Sequence, residues 1–126
     1  MPSAPSSSDV RSASFSARSS GVATNTTVVR EELASAASAP AYFTALALKR
    51  PIAAGDVRTH PATAGLVGSY LQPLGITSLL DVPVWVRGEV VGVICHEHVG
   101  PAREWSAEEI DFASSLAAMV SVALEE

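Results

Sequence analysis

The clearest alternation of apolar and polar positions runs from Ile76 to His98. Ile76 to Val86 and Glu89 to His98 are rich in β-branched residues, and Arg87-Gly88 stands between them. A glycine in a two-residue connection supplies the positive φ that a tight turn demands, so this stretch predicts a β-hairpin. A straight ladder from that turn sets Leu80, Val82 and Val84 opposite Cys95, Val93 and Val91 on one apolar face. The other face then carries Leu79, Asp81, Pro83 and Trp85 opposite His96, Ile94, Gly92 and Val90.

The segment after the hairpin switches to helical spacing. Ser106 precedes it with Glu109 three residues on, the pattern of a capping box, and Ile110, Ala113, Leu116, Ala117, Val120 and Leu124 recur on one side. This helix is expected to cover the apolar face of the hairpin. Upstream, Pro40 to Lys49 reads as a short helix with Phe43, Leu46 and Ala47 on one face, ended by Pro51. Ile52 to Ala54 is a brief strand, and Pro61 opens a second helix with Leu66, Tyr70, Leu71 and Leu74 on its apolar side and Gly75 at its end. Gly65 and Gly68 weaken that helix. The order helix, strand, helix, hairpin, helix predicts an α+β fold with a mostly antiparallel sheet and flanking helices.

Before residue 29 this patterning is missing. The first twenty residues hold nine serines and one aromatic side chain, Phe15, too little apolar area to offset the entropy of ordering. Residues 1–28 therefore read as a disordered Ser/Ala-rich leader and residues 29–126 as the folded part. With Arg11, Arg18 and Arg30 against Asp9, the leader also has the composition of a transit peptide, but no amphipathic helix emerges from it and the flexible-tail reading is preferred.

Length and charge narrow the function classes. A chain of 126 residues fits one domain, and a net charge of -5 with no basic stripe argues against nucleic acid as a partner. No apolar run approaches the roughly 20 residues that span a bilayer, so no membrane partner is expected and the protein is read as cytoplasmic. Cys95 is the only cysteine, which excludes an internal disulfide.

Candidate chemistry gathers on the hairpin. His96 and His98 are two apart on a strand and point the same way, and His60 is available as a third ligand, so a metal-binding protein using His60, His96 and His98 is one reading. The alternative for each histidine is an ordinary hydrogen bond or a ligand contact, and on that reading no metal and no cofactor is expected. Asp81 on a half-apolar strand needs a partner if buried; His96, a ligand, local backbone and Arg103 are the candidates. Trp85, Trp105, Tyr42 and Tyr70 are candidates for a pocket rim. Neither a nucleophile elbow nor a phosphate-cradling glycine loop is present, so enzymatic activity is not expected.

Several segments in order carry a resemblance: Pro40-Ala41-Tyr42-Phe43, then Asp56 to Thr63, then Tyr70-Leu71-Gln72-Pro73-Leu74-Gly75-Ile76-Thr77-Ser78-Leu79-Leu80-Asp81-Val82-Pro83-Val84, then Gly88 to Gly100, Trp105 and Glu108-Glu109. Over residues 30 to 126 this sequence resembles bacterial GAF domains. The resemblance implies a sensory module of the kind that sits ahead of a histidine kinase or a diguanylate cyclase, with an unknown small-molecule ligand near Tyr70, Asp81, His96, His98 and His60, acting through conformational change or as a homodimer. It also implies an opening helix and two strands before Pro40, whose place the leader takes, and a final helix that runs on where this sequence stops. A GAF-like domain lacking its first helix and strands leaves a second function class open, a protein-interaction module or a fragment without function. Cys95-His96 is similar to the pair by which bilin-binding relatives hold a chromophore, but Cys95 is expected to face the terminal helix as a small hydrophobe.

Overall fold

The hairpin forms where the alternation places it. In a computed structural model, which describes residues 12–14, 22–27 and 40–125 of the chain, β4 (Ile76–Val86) and β5 (Glu89–Val99) pair antiparallel about the Arg87-Gly88 turn. Both turn residues take positive φ, 52° and 84°, the geometry that matches the twist of the flanking strands. They are the centre of a five-stranded antiparallel sheet ordered β1-β2-β5-β4-β3, with β1 at Ser12–Ser14, β2 at Val22–Thr27 and β3 at Ile52–Ala54.

β1 and β2 correct the reading of residues 1–28 as a leader without structure. Val22 to Thr27 pairs with His98 to Val93, and Ser12 to Ser14 pairs in turn with Thr27 to Asn25. Side-chain burial alone does not decide whether such a segment is ordered. A strand added to an open edge is held by backbone hydrogen bonds, which Ser- and Thr-rich segments make as well as apolar ones, and Val and Thr favour extended backbone. The strands expected to be missing are thus present, and β5 becomes an interior strand. The other residues of the expected leader, and the place of an opening helix, lie outside the described residues.

The hairpin register carries a second correction. Next to the turn, Trp85 pairs with Val90 and Val86 with Glu89, as a straight ladder requires. Val84 then pairs with Gly92, leaving Val91 as an extra residue, so from there Val82 faces Ile94, Asp81 faces Cys95 and Leu80 faces His96. A second irregularity between Ile76 and Ser78 restores the original count at the far end. Because side chains alternate along a strand, this one-residue slip exchanges the faces of β5 relative to the straight-ladder expectation.

Each sheet face has its own core. α2 (Ala107–Leu124) lies on the face of Leu80, Val82, Val84 and Ile94, with Ala113 and Ala117 buried at the contact. Two alanines at the closest points let the helix backbone approach the strands. The N-terminus of α2 is held as its sequence predicts: Ser106 accepts from the Glu109 N–H at 3.1 Å and Glu109 accepts from the Ser106 N–H at 2.8 Å. Ser106→Ala removes one half of this capping box and is expected to lower stability by about 1 kcal/mol, read from the denaturant midpoint at unchanged slope.

The opposite face is covered by α1 (Pro40–Ala47) and by the segment expected as a second helix. α1 buries Tyr42 and Leu46 rather than the face of Phe43 and Ala47. The second helix does not form as a regular α-helix. Ala64–Leu66 is one 3₁₀ turn and Val67–Leu71 one wide turn, closed by the Gln72 N–H on the Val67 carbonyl at 2.8 Å. Two glycines in five residues raise the cost of regular helix, and the irregular turns still bury Leu71 completely. Tyr70 and Leu74, expected on the apolar side, are 43% and 56% exposed.

Candidate functional site

The face under α1 and the wide turn holds a polar cluster inside an apolar shell. α1 carries Tyr42 inward, β4 carries Asp81, and β5 contributes Cys95 and Glu97 two residues apart on that side. Leu71, Leu79 and Val93, all essentially inaccessible, form the surrounding walls. The Tyr42 hydroxyl donates to Asp81 Oδ2 at 2.6 Å, and the Tyr70 hydroxyl, on the wide turn, donates to Glu97 Oε2 at 2.8 Å nearer the surface.

Asp81 is the group that defines the site. It is only 4% exposed, and while Oδ2 takes the Tyr42 hydroxyl, Oδ1 has no hydrogen-bond partner. Burial pushes its carboxyl up to about 7 from the ordinary 3.8; the Tyr42 hydrogen bond opposes that rise, the Glu97 charge adds to it, and the weakly donating Cys95 thiol slightly opposes it. The same enclosure pushes the hydroxyl of Tyr42 and the thiol of Cys95 up, burial first and the Asp81 charge second. Tyr70 rises too, through burial and then Glu97. In each case burial is the first cause, and a neighbouring acidic group raises the value further.

The register decides which expected site residues meet here. Tyr70 and Asp81 do share this face. His96 does not: it points the other way, is 6% exposed, and lies under α2, where burial holds its imidazole below the usual range and the Glu109 charge partly offsets that. Cys95 also changes sides, facing Asp81 rather than the terminal helix. His98 places Nε2 2.9 Å from the Pro101 carbonyl, and His60 accepts the Ala62 N–H at 3.1 Å within its own loop. Among the described residues no group of three metal-ligating side chains forms, so His60, His96 and His98 are not brought together.

Arg103, considered as a partner for Asp81, is ion-paired with Glu109 and stacks 4.6 Å from the Trp105 ring. Trp105 donates to the Ala54 carbonyl at 3.2 Å, and Trp85 lies under the Lys49 ammonium at 5.0 Å; neither borders the Asp81 cluster. Glu97 is the residue that sequence reasoning passed over. Only the bulge at Val91 puts it beside Asp81, and no feature of composition marks that bulge.

The fold is thus an antiparallel sheet with one face seated on a terminal helix and the other roofed by short helical segments over a buried polar cluster. A family model for the GAF domain matches residues 8–124, starting within the segment first read as leader. The chain belongs to the GAF domain family.

Among solved structures, the third GAF domain of Slr1393 from Synechocystis sp. PCC6803, in its photoproduct state, is 29% identical with a TM-score of 0.56, over 64% of this chain and 50% of that one. The blue-light-absorbing form of the Thermosynechococcus elongatus PixJ GAF domain is 28% identical with a TM-score of 0.57, over 64% and 48%. The substrate complex of free methionine-R-sulfoxide reductase from Neisseria meningitidis, 21% identical with a TM-score of 0.54 over 68% and 47%, shows the fold alone. The chain spans about half the length of the solved structures it matches. A comparison with curated proteins gives no match. No helix among the described residues is long and apolar enough to cross a membrane.

Proposed function

We propose that this chain is a small-molecule-sensing regulatory GAF domain of a bacterial signal-transduction protein, of the kind attached to histidine kinases or diguanylate cyclases, working in the cytoplasm. The observation that carries the reading is Asp81: a carboxylate buried among leucine and valine with one oxygen unpartnered is an unstable arrangement that a ligand completes. The light-responsive GAF domains at 28–29% identity support a sensory role. Burial pushes the Cys95 thiol up, which makes it a poor nucleophile and favours a binding role over covalent chemistry at this residue.

Signal leaves the site through β5. Val93, Cys95 and Glu97 face the cluster while Ile94 and His96 face α2, so a ligand that moves the strand at one face moves the seat of the helix at the other. Binding acts by differential affinity for two settings of α2. A thermal-shift panel of nucleotides and small metabolites on the purified chain tests this. At least one compound is expected to raise the melting temperature with concentration, by several degrees at 100 times its Kd, where linkage contributes about 2.7 kcal/mol. A folded chain that no compound stabilises would rule sensing out.

A second reading is favoured by one surface. Phe112, Met119 and Val122 on the outer side of α2 are 67%, 68% and 61% exposed, and such a stripe on a terminal helix suits association with a second copy or a partner chain. A dimer in sedimentation whose stability ignores the whole panel would establish that reading instead.

A further inference from the structure

The sheet leaves an opening along β4 that the Asp81 cluster does not use. β3 pairs only with Leu79 to Asp81, so among the described residues Val82 to Val86 has β5 on one side and no strand on the other. Between this free edge and α2 lies a groove of about 360 Å³, lined by none of Tyr42, Asp81, Cys95 and Glu97. That volume is within the range of small-molecule sites. α2 presents only Ser114, Ala117, Ala118 and Ser121 to it, and such small side chains leave the space open. From the other side come Pro51, Pro83 and Trp85, whose indole is 43% exposed. A proline in the free edge makes it a poor template for a further strand, which favours a small molecule over an added segment of chain.

The charge at this groove is positive, although the chain carries a net charge of -5. Among the described residues Arg58 is ion-paired with Asp56 and Arg103 with Glu109, whereas Lys49, Arg50 and Arg87 have no ion pair. Lys49 lines the groove, its ammonium 5.0 Å from the centre of the Trp85 ring. Arg50 follows it, and Lys49 Nζ lies 3.8 Å from where a side chain at Gly88, next to Arg87, would begin. Lys49 and Arg87 are also the only non-glycine residues with positive φ among those described, 61° and 52°. The hairpin turn accounts for Arg87. Lys49 stands just past the end of α1, its N–H on the Leu46 carbonyl at 2.9 Å, in a position that glycine commonly fills without strain. A lysine there keeps a strained backbone and sets an ammonium at the groove, the pattern of a residue held for binding.

We propose that this groove is a second binding site, for an arylalkyl carboxylate whose anion pairs with Lys49 while its ring packs against Trp85 and Pro51. The exposed indole favours an aromatic partner over a saturated one, and the unpaired ammonium favours an anion over a neutral or cationic group. Glu125, just past α2, is the one carboxylate bordering the groove and opposes an anion, so the carboxylate of the ligand lies at the Lys49 end.

The test uses three probes with one carbon skeleton, phenylpropionate, phenylpropanol and phenylpropylamine, added to the full chain at equal ionic strength and read in ¹⁵N–¹H spectra. Phenylpropionate is expected to move the Trp85 indole signal, assigned by its loss in Trp85→Phe, together with the amides of Ser114 and Ser121, and to saturate. The alcohol is expected to act more weakly and the amine not at all, and added salt is expected to weaken the response to the acid. Lys49→Gly relieves the backbone, so it is expected to melt no lower than the parent chain and yet to bind phenylpropionate at least tenfold more weakly. Glu125→Gln is expected to tighten binding severalfold. Binding that survives Lys49→Gly, an alcohol or amine as effective as the acid, or no shift with any probe overturns the proposal. If phenylpropionate moves the amides of Asp81 and Cys95 and spares Trp85, the proposal fails and the sensing reading stands.

Discussion

Asp81→Asn is expected to stabilise the free protein by roughly 3 kcal/mol at about pH 8 and to destabilise it slightly, by about 1 kcal/mol, at about pH 4. The reversal follows from a carboxyl that titrates at 3.8 when exposed and at about 7 in the fold. Between those values the folded chain keeps a proton that the unfolded chain has released. Stability contributed by this group is therefore complete below the lower value, falls by up to about 1.4 kcal/mol per pH unit as pH rises, and is fully lost once pH passes the upper one. The total is about 4 kcal/mol, a cost that falls on the parent chain at alkaline pH and is absent in the amide. The amide retains an acceptor for Tyr42 but puts a buried N–H where Oδ1 has no hydrogen-bond partner, which accounts for the deficit in acid. Denaturant midpoints of both proteins across this range provide the measurement. Parallel pH curves would show that Asp81 is not desolvated as the structure has it.

Ile94→Ala is expected to cost about 3 kcal/mol and to lower the melting temperature by roughly 10 °C, a large fraction of a small domain's stability. Ile94 is completely inaccessible and packs with Leu80, Val82 and Val84 against Ala113 and Ala117 of α2. Two interior strands and a helix held from its cap to its middle leave little freedom to collapse onto the cavity. Phe112→Ala, on the opposite side of α2 with 67% exposure, removes more carbon yet is expected to change monomer stability by less than about 0.5 kcal/mol. A comparable loss in both variants would place α2 the other way round on the sheet.

The parts of this fold that were legible in the sequence are those specified locally. A capping box, a glycine turn and two long β-branched runs each determine their own backbone, and they give the hairpin, α2 and the helix from Pro40 with little error. The family was legible as well, through the order of its segments. What failed was specified at a distance. β2 is a strand because β5 offers it an edge, and nothing in Val22-Ala23-Thr24-Asn25-Thr26-Thr27 alone requires that. Ala64 to Leu71 has a helical apolar pattern, but its glycines let tertiary packing choose 3₁₀ and wide turns instead.

The site was half legible. Tyr70 and Asp81 lie on the same side of the sheet, Asp81 on the strand expected for it and Tyr70 on a wide turn in place of the expected helix. His96 and Cys95 were exchanged because their sides depend on counting residues across a bulge. Tyr42, treated as one aromatic among four, proved to be the direct partner of Asp81 because α1 is rotated from the face that its apolar residues suggested.

The unpaired Val91 has a consequence beyond packing. Between Gly88 and Cys95 the chain stores a parity, odd or even, and that parity alone decides whether a thiol or an imidazole stands beside Asp81. Removing one residue there would preserve the composition, the hydrophobic content and nearly every local preference of the strand. It would nevertheless turn His96 toward the carboxylate and Cys95 toward α2, replacing a carboxylate–thiol neighbour pair with a carboxylate–imidazole pair. The group that stands beside Asp81 is therefore open to change by a single insertion or deletion in the hairpin, with no substitution at Asp81, Cys95 or His96.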